Sequence, residues 1–292
     1  AHFAKKQGRA NFQFYTEQLS EDARRRIEVE SGLRRALENN EFELVFQPKV
    51  DLETRRIIGA EALLRWDNAN LGKVSPVEFI PVAEETGLIV SIGSWVLRQA
   101  CETAAVWIKE GLTACHIAVN LSAMQFLHGD LAGEIKDVLD TCGLDPHLLD
   151  VELTESMLVS NAEETIRILK VIKDMGVNVS MDDFGTGYSS LSYLTRFPLD
   201  NLKVDRSFVT GLPDDRDASA VARAIISMAQ NLNLKIIAEG IETENQVGFL
   251  HALGCQVGQG YLFSPPVSNE KFMELARAGT SAFLKTPPAA GE

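Results

Sequence analysis

Between Glu17 and Asn39 a charge-rich stretch carries apolar residues on a helical spacing, including Leu19, Ile27, Leu33 and Leu37, and predicts a connecting helix. The texture changes at Phe42. From there short apolar runs alternate with amphipathic segments that end in glycine-containing turns, as repeated βα units do. The runs predicted as strands are Leu44 to Val50, Ile57 to Leu64, His116 to Leu121, Leu149 to Leu153, Val177 to Met181, Leu202 to Val204, Lys235 to Ala238 and Cys255 to Val257. Helical patterns separate most of them, among them Ala162 to Lys173 ahead of Gly176, and Ala218 to Gln230. About eight strands with intervening helices predict an α/β fold of the TIM-like (β/α)8 barrel type rather than an open sheet. The first two runs are joined only by Asp51 to Arg56, too short for a helical crossover, so the first strand is predicted antiparallel to the second. After Pro266 a last helix is predicted from Asn269 to Ala278, and Thr286 to Gly291 reads as a frayed tail.

Composition narrows the class. A chain of 292 residues is long for one domain, yet barrels of this kind use roughly 250 residues around a single core. With 45% apolar and 24% charged residues, wholesale disorder is excluded. Lys and Arg number 28 against 41 Asp and Glu, and a net charge of −13 argues against a polymeric nucleic acid bound through its phosphates. A small phosphorylated ligand stays compatible, because bound metal ions reverse the local charge of an acidic cleft. Cys101, Cys115, Cys142 and Cys255 show no CxxC spacing and read as buried thiols, which suggests a reducing cytoplasm. No apolar run reaches the roughly 18 residues of a membrane span, so no membrane contact is expected within this fragment, although a longer parent protein could be anchored elsewhere.

Candidate chemistry concentrates where the predicted strands end, the place where barrel enzymes carry their functional residues. Asp182 and Asp183 stand side by side at the end of an apolar run, before the glycine-bracketed turn Phe184 to Tyr188. Glu61, Asn120, Glu152, Asp205 and Glu239 occupy comparable positions, and Lys203 lies between apolar Leu202 and Val204. Any one such acid is most simply a solvated loop or helix-cap carboxylate; several at successive strand ends form a pattern. An oxygen-only donor set with one amide suits Mg²⁺ or Mn²⁺, whereas zinc more often recruits His or Cys. For Lys203 two readings stand: an ion pair with Asp205 or a neighbour, or a cation serving a metal-bound hydroxide or a substrate phosphate. Arg65 and Gln47 are either phosphate and base contacts or surface residues, and Trp66, Trp95 and Trp107 read as core or cleft walls.

These residues fall into motifs that resemble a known family. They are Glu61-Ala62-Leu63 within Gly59 to Trp66, Asn120-Leu121-Ser122, Glu152-Leu153-Thr154-Glu155, Met181 to Tyr188, Leu202-Lys203-Val204-Asp205, Ala238 to Glu242, and Gln259-Gly260-Tyr261. From about Glu41 to Phe272 the chain resembles an EAL domain, the phosphodiesterase that linearises the bacterial messenger cyclic di-GMP. Ala4 to Asn11 resembles the end of a GGDEF domain, the alternative being an unrelated basic helix cap. The resemblance implies a GGDEF remnant over residues 1–16, a linker helix over 17–40, the EAL domain over 41–279 and a flexible tail over 280–292.

By the same resemblance, two Mg²⁺ or Mn²⁺ ions are the cofactors. Glu61, Asn120, Glu152 and Asp182 are expected to ligate one ion, and Asp182 and Asp183 the second, with Glu239 close by. Lys203, Glu239 and Glu61 are the expected catalytic residues, and Gln47, Leu63, Arg65, Asp205 and Gln259 the expected substrate contacts. Glu155 is similar to the acid that fixes the Asp183-to-Tyr188 loop, which the family often places near a dimer contact, so a homodimer is expected. The implied reaction opens one phosphodiester bond of cyclic di-GMP to give linear pGpG. The competing readings are a receptor that holds cyclic di-GMP without cleaving it, and a scaffold. None of the motif positions departs from the family pattern.

Overall fold

Strands β1 (Phe42–Asp51) and β2 (Ile57–Asn68) pair antiparallel, from Phe42 opposite Trp66 to Val50 opposite Ile57, as their short connection requires. The structure is a computed structural model that describes residues 17–127, 129–155, 157, 162–185 and 194–279. The expected GGDEF remnant, the C-terminal tail and Tyr188 lie outside the described residues. Past the predicted end at Leu64, β2 continues to Asn68 and folds back into β3 (Gly72–Val74). With a single apolar residue, β3 shows no periodicity that a sequence could reveal.

Six strands run parallel to β2 in chain order: β4 (His116–Asn120), β5 (Leu149–Thr154), β6 (Asn178–Phe184), β7 (Asn201–Val204), β8 (Lys235–Ala238) and β9 (Val257–Gly258). Strand β9 then pairs antiparallel with β1, which closes an eight-strand barrel and leaves β3 outside the ring. β1 therefore runs against both of its neighbours. A parallel barrel strand faces the interior on one side and helices on the other, so it is apolar nearly throughout. Leu149 to Leu153 in β5 is buried from end to end although it includes Asp150 and Glu152.

The outer layer comprises α1 (Glu17–Ala36), α2 (Pro76–Thr86), α3 (Leu88–Lys109), α4 (Ala123–Leu127), α5 (Leu131–Cys142), α6 (Ala162–Asp174), α7 (Arg206–Val209), α8 (Arg216–Asn231), α9 (Glu244–Ala252) and α10 (Asn269–Ala278). Helix α1 buries Val29, Leu33 and Ala36 against the barrel and stops at Ala36, where a turn replaces the predicted last few residues of helix. Ile27 is 67% exposed, so this member of the apolar stripe read from the sequence does not pack on the barrel. Ion pairs Arg25–Glu78 and Arg26–Glu85 tie the first half to α2. Among the described residues no single helix is long and apolar enough to cross a membrane.

Helix α10 lies where it was predicted and locks against the barrel through Phe272, which is fully buried 4.4 Å from the Trp107 ring. Trp107 also meets Phe46 edge-on at 5.2 Å, and its Nε1 donates to Asn269 Oδ1 at 2.7 Å. Truncating such an aromatic forfeits its transfer energy and leaves a cavity. Phe272→Ala should therefore lower unfolding stability by about 3–5 kcal/mol in urea denaturation. Val77→Ala, at a position 86% exposed, should stay within about 0.5 kcal/mol of the parent.

Candidate active site and metal centre

The C-terminal mouth of the barrel gathers the acids of successive strands around one lysine. Glu61 comes from β2, Glu152 from β5 and Asp182 from β6, and one carboxylate oxygen of each lies within 4.8 Å of the others. Lys203, on β7 and 1% exposed, puts Nζ 2.6 Å from Glu152 Oε2, 2.6 Å from Glu239 Oε1, 3.1 Å from Asp182 Oδ2 and 3.5 Å from Glu61 Oε2. Its partners are thus these four acids and not Asp205, whose side chain instead caps α7 by accepting from Ser207 N–H at 3.0 Å.

Two amides pin Glu61. Asn120 Nδ2 donates to Oε1 at 2.6 Å and Gln259 Nε2 to Oε2 at 2.8 Å. Asn120 keeps its amide oxygen as an acceptor. Gln259 Nε2 also reaches Gln47 Oε1 at 2.9 Å, yet Gln259 Oε1 is buried without a hydrogen-bond partner among the described residues. An orphaned acceptor at the floor of an acidic cleft fits a site that receives a ligand, a cation or its water. The donor set points the same way, since carboxylates and an amide are what a hard divalent cation takes.

Strict strand alternation would send Asp182 and Asp183 to opposite faces. The ladder slips here: Met181 pairs with Leu202 but Phe184 with Val204, so β6 holds one residue more than β7. Asp183 sits in this bulge with φ 54°, a left-handed conformation that Asp tolerates better than most residues. The strand runs on to Phe184, three residues past the predicted end at Met181. Asp182 is buried with the trio, and Asp183 is exposed at the rim. Glu155 Oε2 accepts from Gly185 N–H at 3.2 Å at the start of the following loop.

A cleft of about 290 Å³ opens over the acids, lined by Gln47, Glu61, Leu63, Asp182, Glu239 and Gln259 of the expected set. Arg65 is not among its walls; its Nη1 donates to the Leu64 carbonyl at 2.8 Å. Arg206 and Tyr261 do line it; Tyr261 closes the motif Gln259-Gly260-Tyr261, but neither residue was assigned a site role from the sequence. Arg206 follows a strand-end acid, which is the signal that could have found it. Gly240, at φ 66°, lets the chain turn directly after Glu239, and a Cβ there would come 2.3 Å from Arg206 Cγ. A roomier groove of about 410 Å³ lined by Arg98, Glu102 and Asp137 on the outer helices contains none of the strand-end acids.

Burial and crowding set the protonation of the cluster. Burial raises the carboxyls of Glu61, Asp182 and Asp183 despite Lys203, and pushes Glu239 up to about 8. Burial would raise Glu152 as well, but Lys203 and Lys49 outweigh it and hold that carboxyl at about 2. Lys203 is raised well above its ordinary value, because its acidic neighbours overcome the penalty of burial.

An eight-stranded barrel with a cluster of acids at its C-terminal mouth that could hold a metal ion defines the class of α/β barrel protein. Residues 30–266 match the EAL domain family, and the chain belongs to it. It is 43% identical over 272 residues to the bifunctional diguanylate cyclase/cyclic di-GMP phosphodiesterase MucR of Pseudomonas aeruginosa, covering 93% of this chain and 40% of that protein. It is 41% identical to the cyclic di-GMP phosphodiesterase NbdA of the same organism, covering 95% of this chain and 35% of the relative. The chain thus spans well under half the length of these curated relatives. Among solved structures it resembles the phosphodiesterase of P. aeruginosa MucR in complex with c-di-GMP, at TM-score 0.80 and 45% identity, covering 84% of this chain and 99% of that one.

Because native Glu239 binds its proton more tightly than the unfolded chain does, its stabilising contribution is complete below about pH 4.5 and is lost as pH rises through about 8. Glu61, Asp182 and Asp183 shift in the same sense, while the stability from Glu152 is lost only in acid. Metal-free protein should accordingly melt lower at about pH 8.5 than at about pH 6. Mn²⁺ should raise Tm more at the higher pH, as followed by circular dichroism; equal gains at both would contradict this electrostatic picture.

Proposed function

We propose that the chain is a metal-dependent phosphodiesterase that hydrolyses one ester bond of cyclic di-GMP to linear pGpG in bacterial second-messenger signalling. The observation that carries the reading is the convergence of Glu61, Glu152 and Asp182 on one another around buried Lys203. The names of MucR and NbdA, and the c-di-GMP in the MucR complex, support the substrate.

In this reading Glu61, Asn120, Glu152 and Asp182 hold one ion, and Asp182 and Asp183 the other. Charge balance supports two. When ionised, Glu61, Asp150, Glu152, Asp182, Asp183 and Glu239 place six negative charges against Lys49 and Lys203, a deficit that two divalent cations make good. Bound there, Mg²⁺ or Mn²⁺ supplies activation of a water and neutralisation of charge on the phosphoryl oxygens. The chain's own contribution is placement. Asn120 and Gln259 fix both oxygens of Glu61, so that ligand does not have to be ordered when the ions arrive. Lys203, held by four carboxylates, carries a permanent positive charge at the floor of the cleft where an anionic phosphate is drawn. Glu239, with its carboxyl near 8, is able to hold or release a proton at neutral pH. Gln47, Leu63, Arg65, Asp205 and Gln259 are the proposed substrate contacts.

The test is chromatography of cyclic di-GMP incubated with the protein and Mg²⁺ or Mn²⁺. Formation of pGpG is expected, lost on chelation and lost in a folded Glu61→Ala variant. Full recovery of intact cyclic di-GMP at every metal concentration would overturn the reading and leave a receptor.

A further inference from the structure

The four cysteines are free, and their surroundings divide them into two kinds. Cys115 and Cys255 are shut inside the fold, and burial pushes each thiol up to about 12. Cys101 and Cys142 instead meet across two packed helices, α3 and α5. Cys101 is fully buried in α3, and its S–H donates to the sulfur of Cys142, the half-buried last residue of α5. The outer groove of about 410 Å³ runs between the same helices, and Cys142 lines it beside Glu102, Val138 and Thr141. One sulfur therefore faces a solvent-filled groove, and its partner waits behind it.

The thiolate is the attacking form of a cysteine. Cys142 is held down to about 6, first by the Cys101 S–H, and also by the Leu144 N–H beyond the left-handed turn at Gly143, against burial and the Glu102 carboxylate. The same hydrogen bond raises Cys101 well above the usual thiol range, which suits a thiol that reacts second. When protonated, Cys142 Sγ donates to the Leu139 carbonyl at 3.7 Å.

We propose that Cys101 and Cys142 are a reversible redox pair: hydrogen peroxide oxidises Cys142, Cys101 resolves it, and the resulting disulfide staples α3 to α5. In the first step the Cys142 thiolate takes one peroxide oxygen, the O–O bond breaks, and the departing hydroxide becomes water with the proton that Cys142 gave up. In the second, the Cys101 sulfur attacks the Cys142 sulfenic acid, the S–O bond breaks, and the hydroxyl leaves as water with the Cys101 proton. The two sulfurs lose two electrons and the peroxide gains them. The bond closes residues 101–142, with β4 and Asn120 among them, into one loop, which restricts the unfolded chain.

The test treats the full chain with hydrogen peroxide at neutral pH, alkylates the remaining thiols under denaturing conditions and maps the peptides by mass spectrometry. A peptide joining Cys101 to Cys142, two hydrogens lighter than the reduced pair and cleaved by dithiothreitol, is expected, with Cys115 and Cys255 alkylated. Recovery of Cys101 and Cys142 as alkylated thiols, or a cross-link between other cysteines, would overturn the proposal, and this arm needs no variant to fold. Cys101→Ser should stop at the sulfenic acid and take a dimedone label on Cys142; a label on Cys142 of the parent in place of the cross-link overturns the role of Cys101. The oxidised parent should melt at a higher Tm by circular dichroism and return on reduction, whereas an unchanged or lower Tm overturns the staple.

Discussion

One buried ammonium group holds this site together. Lys203 sits inside the barrel, where an unpaired charge is strongly disfavoured, and four carboxylates within 3.5 Å make its burial possible. The dependence is mutual, because without that cation Glu61, Glu152, Asp182 and Glu239 would repel one another in a poorly solvated space. Neither partner is satisfied completely. One positive charge faces several negative ones, and the raised carboxyls of Glu61, Asp182 and Glu239 record the residue of that imbalance. A cluster of acids left short of positive charge could hold a metal ion.

The barrel explains why these groups meet although they are far apart in sequence. Parallel strands deliver their C-terminal parts to one rim, so Glu61 from within β2 arrives there with Asn120, Glu152, Asp182, Lys203 and Glu239 from the ends of β4, β5, β6, β7 and β8, in chain order. The reversed β1 adds Gln47 at the rim and Lys49 one layer lower, and its pairing with β2 and β9 closes the ring. Closure keeps bulk water from the interior and lets each ion pair act in a medium of low polarity. The bulge at Asp183 supplies what regular strands cannot, two adjacent acids at one mouth.

Much of this was legible before any coordinates. Parallel strands buried on both faces announce themselves as continuous apolar runs, and Ile117 to Val119 in β4 is one, whereas Leu149 to Leu153 alternates apolar residues with Asp150 and Glu152. Strand-end acids stand out because they interrupt such runs. Lys49 and Asp150 carry no such signal, because Lys49 lies on the reversed strand and Asp150 near the start of β5, away from the C-terminal strand ends. Arg206 opens α7 directly after the strand-end acid Asp205, and Tyr261 follows Gly260 in a turn; their place in the cleft wall is a matter of tertiary geometry. The choice between Asp205 and the distant acids as partners of Lys203 was likewise a matter of tertiary geometry.

The most direct test of the central claim is a Mn²⁺ titration of metal-stripped protein, with free Mn²⁺ counted by electron paramagnetic resonance. Saturable uptake of two ions per chain is expected, with loss of that uptake in a folded Asp182→Asn variant. Uptake that never saturates, or that is the same in the variant as in the parent, would contradict the account.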